Sequence, residues 1–171
     1  MAGGIGSRFW PLSTSQTPKQ FLDILGVGKS LLRLTFERML KVCPKENFYI
    51  VTNHTYEKLV LEQIPEIKSF QVLKEPMRRN TAPCIAYGNY EIKKRNPNAA
   101  IIVTPSDHLI LNEDSFISVL SHGIDVVSKE NILLTIGIKP TRPDTGYGYI
   151  QTGKIYSENR HIINKVKTFT E

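Results

Sequence analysis

The chain has 171 residues, 40% hydrophobic and 22% charged, which fits a soluble globular domain or a piece of a larger one. Its net charge of +6 points to an anionic partner. The basic residues are scattered and not interleaved with aromatics, which argues against nucleic-acid binding. Cys43 and Cys84 lack C-x-x-C spacing and read as small thiols of a reducing compartment, not as a disulfide or zinc site. No signal peptide or long apolar run is apparent, so the expectation is a cytoplasmic protein without membrane contact.

In chain order, the first informative stretch is Ala2-Gly3-Gly4-Ile5-Gly6-Ser7-Arg8-Phe9-Trp10-Pro11, followed by Pro18-Lys19-Gln20. Glycines let backbone N–H groups approach an anion closely, and Arg8 and Lys19 add permanent cations. The pattern suits a loop that holds a polyphosphate, against the simpler reading of a glycine-rich surface turn. It is not the dinucleotide fingerprint, whose third glycine would fall on Phe9. Nor is Gly28-Lys29-Ser30 a P-loop, whose first glycine would fall on Asp23. An apolar strand is expected before the glycines, and only Met1 stands there.

The spacing of Leu31, Leu34 or Thr35, and Met39 predicts a helix over 31–40, with Ser30 as N-cap, a Glu37–Lys41 pair and Pro44 beyond its end. Residues 47–52 read as a buried parallel strand, 56–64 as a second helix ended by Pro65, and 70–73 as the next strand. A helix over 82–95 follows, capped by Asn80 or Thr81, with Pro83 in its first turn. Residues 99–104 form the clearest apolar run for a buried strand. Beyond it come a helix over 114–128, a strand over 132–138, a turn-rich loop over 140–148, and strands over 149–152 and 162–169. Strand and helix alternate, which predicts an α/β fold with a doubly wound, mostly parallel sheet.

Ligands of such sheets bind beyond the carboxyl ends of the strands. Four polar segments fall there: the glycine loop, Arg79-Asn80-Thr81, Ser106-Asp107-His108, and Asp144-Thr145-Gly146-Tyr147-Gly148. Asp107 suits Mg²⁺, which often takes one protein carboxylate and fills its other positions with phosphate and water. Its alternative role is to cap a turn. Asn80 can pair with the edge of a base or cap a helix. Gly146 and Tyr147 can meet a sugar or open a hairpin. His108 reads as structural.

Together, Ala-Gly-Gly-Ile-Gly-Ser-Arg-Phe-Trp-Pro-Leu-Ser, Pro-Lys-Gln-Phe, Arg-Asn-Thr-Ala-Pro, Pro-Ser-Asp-His and Thr-Gly-Tyr-Gly-Tyr-Ile resemble the mannose-1-phosphate guanylyltransferases, which are sugar nucleotidyltransferases. The resemblance implies a Rossmann-like nucleotide-diphospho-sugar transferase sheet and transfer of GMP from GTP to mannose 1-phosphate, giving GDP-mannose and pyrophosphate. It implies that Ala2, Gly3, Gly4, Gly6 and Ser7 cradle the GTP phosphates, with Ser106 also on the nucleotide. Arg8 and Lys19 would stabilise the α-phosphate, Asn80 and Thr81 would hold guanine, and Asp107 would bind Mg²⁺ or another divalent cation. Gly146, Tyr147 and Glu171 would face the sugar. Members of the family have a full strand before the glycines and continue past the position of Glu171. Residues 1–171 are therefore expected to be part of one catalytic domain, without its first strand and C-terminal part, and inactive alone. The competing readings are thymidylyl or uridylyl transfer to glucose 1-phosphate, a catalytically idle nucleotide-binding fragment, and an RNA-binding module. Homo-oligomerisation is left open.

Overall fold

The structure is a computed structural model and describes residues 1–4, 9–77 and 79–170. It divides into two compact units, Met1–Glu113 and Asp114–Glu171.

The first unit is built on a parallel ladder. β1 (Ile50–Thr52) pairs with β2 (Val72–Lys74), with Ile50 opposite Val72 and Val51 opposite Leu73. Residues 1 and 2 extend this pairing. Ala2 N–H donates to Val51 O at 2.8 Å, the Met1 nitrogen donates to Thr104 O at 3.0 Å, and Ser106 N–H donates to Met1 O at 3.2 Å. The order across the layer is therefore β2, β1, residues 1–2, then 104–106. Met1 and Ala2 stand where the sequence reading puts the strand that leads into the glycine loop.

Side chains of a strand alternate between its faces, and the packing follows that rule. Ala2, Ile50 and Val72 join one apolar cluster with Leu32 and Phe36 of α1 (Leu31–Met39) and Val60 of α2 (Glu57–Gln63). Val51 and Leu73 turn the other way, onto Cys84 of α3 (Thr81–Arg95), with Met1 and Tyr87 alongside. Helices thus cover both faces of a parallel layer in this unit. Ser30 Oγ accepts from Arg33 N–H at 3.1 Å, so the expected N-cap forms.

Three expectations are corrected. Residues 99–104 are not a ladder strand, and Val103 is 41% exposed. An apolar run reports low water affinity, whereas a ladder needs a backbone partner alongside, which among the described residues Met1 supplies at Thr104 and Ser106. Residues 132–138 also form no strand, and Leu133 is fully exposed. Glu37 does not meet Lys41. It binds Lys29 at 2.8 Å and Arg33 at 2.9 Å, while Lys41 binds Glu113 at 2.9 Å.

The second unit holds most of α4 (Glu113–Val127) and an antiparallel pair, β3 (Tyr149–Ser157) with β4 (Ile163–Thr170). Ser118 Oγ and His161 Nε2 are hydrogen-bonded at 3.0 Å, and the His161 ring packs edge-on against His122 at 5.7 Å. The hairpin is open to solvent along most of its length.

Candidate active site

A single 3-10 turn, Lys19–Phe21, organises the site in the first unit. Phe21 is buried against the Tyr56 ring, with centroids 5.6 Å apart, and anchors the turn to the core. Lys19 extends to Asp107, with Nζ to Oδ2 at 3.4 Å, and lies 4.6 Å from the centroid of the Phe9 ring. Buried Gln20 donates from Nε2 to both Ala2 O and Gly4 O, each at 2.9 Å. Tyr56 Oη donates to Ser15 O at 2.8 Å and ties down the segment between the glycines and the turn.

Asp107 is placed by its neighbour. Ser106 is buried and directs both its N–H and its Oγ to Met1 O, at 3.2 and 2.7 Å. The backbone is thereby fixed one residue before the carboxylate. Ala2 is also committed internally: its N–H goes to Val51, and its carbonyl accepts from Gln20 and from Thr52 Oγ1 at 3.1 Å. Ala2 and Ser106 thus act on the structure side of the loop, while Gly3 and Gly4 form its accessible part.

Glu75 follows β2 directly, and its N–H donates to Thr52 O at 2.8 Å. Its carboxylate is buried, and Oε1 lies 2.7 Å from where a Cβ on Gly3 would stand. Any side chain at position 3 would have to displace that carboxylate. Burial, together with the nearby Glu75 charge, pushes up the pKa of the Cys84 thiol in the first turn of α3. The glycine loop and the end of β2 thus meet at Gly3 and Glu75.

Asn80 precedes α3 with φ 65° and ψ −166°, and its side chain makes no capping bond. That backbone region is almost restricted to glycine. The helix-capping alternative for Asn80 therefore has no hydrogen bond behind it. Thr81 begins the helix in an exposed position. The backbone around Gly26 and Gly28, both at positive φ, does bind an anion, but that anion is the protein's own: the Asp23 carboxylate accepts from Val27 and Gly28 N–H at 3.1 and 2.6 Å.

The nucleotidyl transferase family model matches residues 1–171. The chain belongs to the nucleotidyl transferase family. Within it, the chain is 36% identical over 176 residues to a mannose-1-phosphate guanylyltransferase of Escherichia coli, covering 100% of this chain and 37% of that protein. It is 37% identical over 155 residues to the xanthan biosynthesis protein XanB of Xanthomonas campestris, covering 90% and 32%. A crystal structure described as mannose-1-phosphate geranyltransferase from Thermus thermophilus superposes with a TM-score of 0.86 at 31% identity, covering 100% of this chain and 48% of that one. The chain spans about a third of the length of the curated relatives it matches.

Of the residues singled out by sequence, the first unit brings Gly3, Gly4, Lys19, Ser106 and Asp107 together with Gln20 and Glu75. Gly6, Ser7, Arg8 and Glu171 lie outside the described residues. Gly146 and Tyr147 belong to the second unit, where Gly146 N–H donates to Asp144 Oδ1 at 2.9 Å and Tyr147 is exposed. Gln20 lies inside the Pro-Lys-Gln motif, and its contact with the glycine loop has no local signal of its own. Glu75 carried one weak signal, a carboxylate ending an apolar strand. No helix among the described residues is long and apolar enough to cross a membrane.

Proposed function

We propose that this chain carries the nucleotide-binding machinery of an enzyme that transfers GMP from GTP to mannose 1-phosphate and releases pyrophosphate. The observation that carries the reading is the convergence of Lys19 and Asp107, 3.4 Å apart, beside the glycine loop at one edge of the parallel layer. A cation and a carboxylate at a polyphosphate cradle are what in-line transfer at phosphorus requires. The names of the relatives in E. coli and Thermus thermophilus support mannose 1-phosphate as the acceptor.

In this reading, Gly3, Gly4, Gly6 and Ser7 hold the triphosphate through the backbone. Arg8 and Lys19 offset the charge that grows on the α-phosphate as the sugar phosphate attacks. Asn80 and Thr81 face the guanine. Gly146, Tyr147 and Glu171 face the mannose. Residues 1–171 then form part of one catalytic domain.

Asp107 fits a hard divalent cation such as Mg²⁺. Its carboxylate is partly open. Asp107 would hold such an ion, which would supply charge neutralisation on the triphosphate. Lys19 Nζ lies 3.4 Å from Asp107 Oδ2, so the cation and the carboxylate stand together beside the cradle.

The test is pyrophosphate release by the protein with GTP and mannose 1-phosphate, with and without a divalent cation. Metal-dependent release with this pair is expected. Equal turnover with dTTP and glucose 1-phosphate would overturn the guanylyl assignment.

A further inference from the structure

Of the three residues in the Lys19–Phe21 turn, Phe21 packs in the core and Lys19 reaches Asp107. Gln20 does neither. It is 4% exposed, and both protons of its one NH₂ group are used, on Ala2 O and on Gly4 O. These are carbonyls two residues apart in the phosphate loop.

A carbonyl oxygen carries partial negative charge. Turned toward a bound polyphosphate it repels the anion, and turned away it leaves the N–H groups to act alone. Glycine backbone has no side chain to enforce that choice. We propose that Gln20 is the positioning residue of the polyphosphate cradle, withdrawing the Ala2 and Gly4 oxygens from the anion before it binds. The proposal rests on the reading of the glycine loop as the phosphate site. Gln20 acts through the loop backbone and touches neither substrate.

Geometry separates Gln20 from its neighbour. Thr52 Oγ1 also donates to Ala2 O, at 3.1 Å. Only Gln20, among the described residues, donates to Gly4 O. Removing the Thr52 hydroxyl should therefore loosen the base of the loop without turning the Gly4 carbonyl. Removing the Gln20 amide should free it.

The probe is inorganic tripolyphosphate, which carries neither base nor sugar. The readout is the fluorescence of Trp10, the single tryptophan of the chain, exposed just after the loop. In Gln20→Met, which keeps length and volume, tripolyphosphate should bind about tenfold more weakly, and the Gly3 and Gly4 amides should exchange faster, as expected for about two lost hydrogen bonds. In Thr52→Val, affinity should stay within about twofold of the unmodified protein, even where its melting temperature falls. Unchanged affinity in folded Gln20→Met, or an equal loss in both variants, would overturn the proposal. Should Gln20→Met not fold, the side-chain amide protons of Gln20 in the unmodified protein decide it. Slow exchange that tripolyphosphate slows further supports the role, and exchange as fast as in an exposed glutamine overturns it. No tripolyphosphate binding by the unmodified protein would overturn the cradle reading itself. Binding that Gln20→Met leaves intact overturns the Gln20 role alone.

Discussion

Asn80 holds a backbone conformation with φ 65° and gains no capping hydrogen bond from it. Such a conformation costs about 1–3 kcal/mol, and it persists where the surroundings or the function require it. Asn80→Gly should therefore raise stability by about 1 kcal/mol in thermal unfolding while raising KM for the nucleotide, because the amide proposed to face the base is lost. A variant that gains stability with unchanged KM would remove Asn80 from the base site. Asp107 gives the opposite expectation. It is partly exposed and its one described ion pair is with Lys19. Asp107→Asn should change stability by less than about 1 kcal/mol and abolish metal-dependent turnover, since asparagine keeps the shape without the charge. Arg8→Ala should lower kcat by about 10²–10³ with a smaller change in KM, the mark of a contact that strengthens as charge develops. Near-normal kcat with raised KM would limit Arg8 to ground-state binding.

At the scale of elements, two contacts can be tested apart from chemistry. α3 approaches β1 at Gly88, where an added Cβ would lie 3.1 Å from Val51 Cγ2. Gly88→Val should destabilise by about 1–3 kcal/mol, because the branched side chain overpacks the small cluster of Val51, Leu73 and Cys84. Denaturant unfolding measures this, and an unchanged midpoint would mean that the interface gives way. The second contact is charged. Glu113 binds buried Arg38 at 3.1 Å and Lys41 at 2.9 Å. The Lys41 hydrogen bond, against some burial and with help from Arg38, holds the Glu113 carboxyl below its usual range. A depressed carboxylate stabilises above its unfolded pKa of about 4.3 and loses that contribution as pH falls through the folded value. The stability gap between unmodified protein and Glu113→Gln should be open at pH 7 and close below about pH 4. A gap that persists at low pH would make the contact one of shape alone. The helices are legible in the sequence because their apolar spacing, Ser30 and Pro44 are local signals. The segments 99–104 and 132–138 read as strands and are not, because a run of Ile, Val and Leu does not report whether a backbone partner lies beside it. Lys19 and Asp107 are legible as motif residues. The placement of Gln20 and Glu75 against the glycine loop is not legible, because burial of a polar side chain there is a tertiary fact.

Across the whole molecule, apolar burial is unevenly shared. The first unit buries Ile50, Val51, Val72 and Leu73 on the two faces of its layer, with Val60 and Ile64 fully enclosed. The second unit buries Leu120 and Gly123 of α4, while Tyr149, Ile155, Tyr156, Val166 and Phe169 of the hairpin remain exposed. Backbone hydrogen bonds protect against exchange only while the segment stays closed, and closure depends on the apolar surface buried with it. A two-stranded hairpin with little buried surface is marginal by itself. The register between β3 and β4 also shifts at three places, which breaks the ladder into short runs. Native-state hydrogen exchange should therefore separate the units. Paired amides within Ile50–Thr52 and Val72–Lys74 should exchange at rates near those of global unfolding. Amides of Tyr149–Ser157 and Ile163–Thr170 should exchange faster by a factor on the order of 10² or more, corresponding to local opening that costs at least about 3 kcal/mol less. Saturating GTP should slow exchange in the first unit, at Gly3, Gly4 and the start of α3, if those residues form the nucleotide site. Equal protection of the hairpin and the parallel ladder in ligand-free protein would mean that the hairpin's exposed apolar residues are covered in solution.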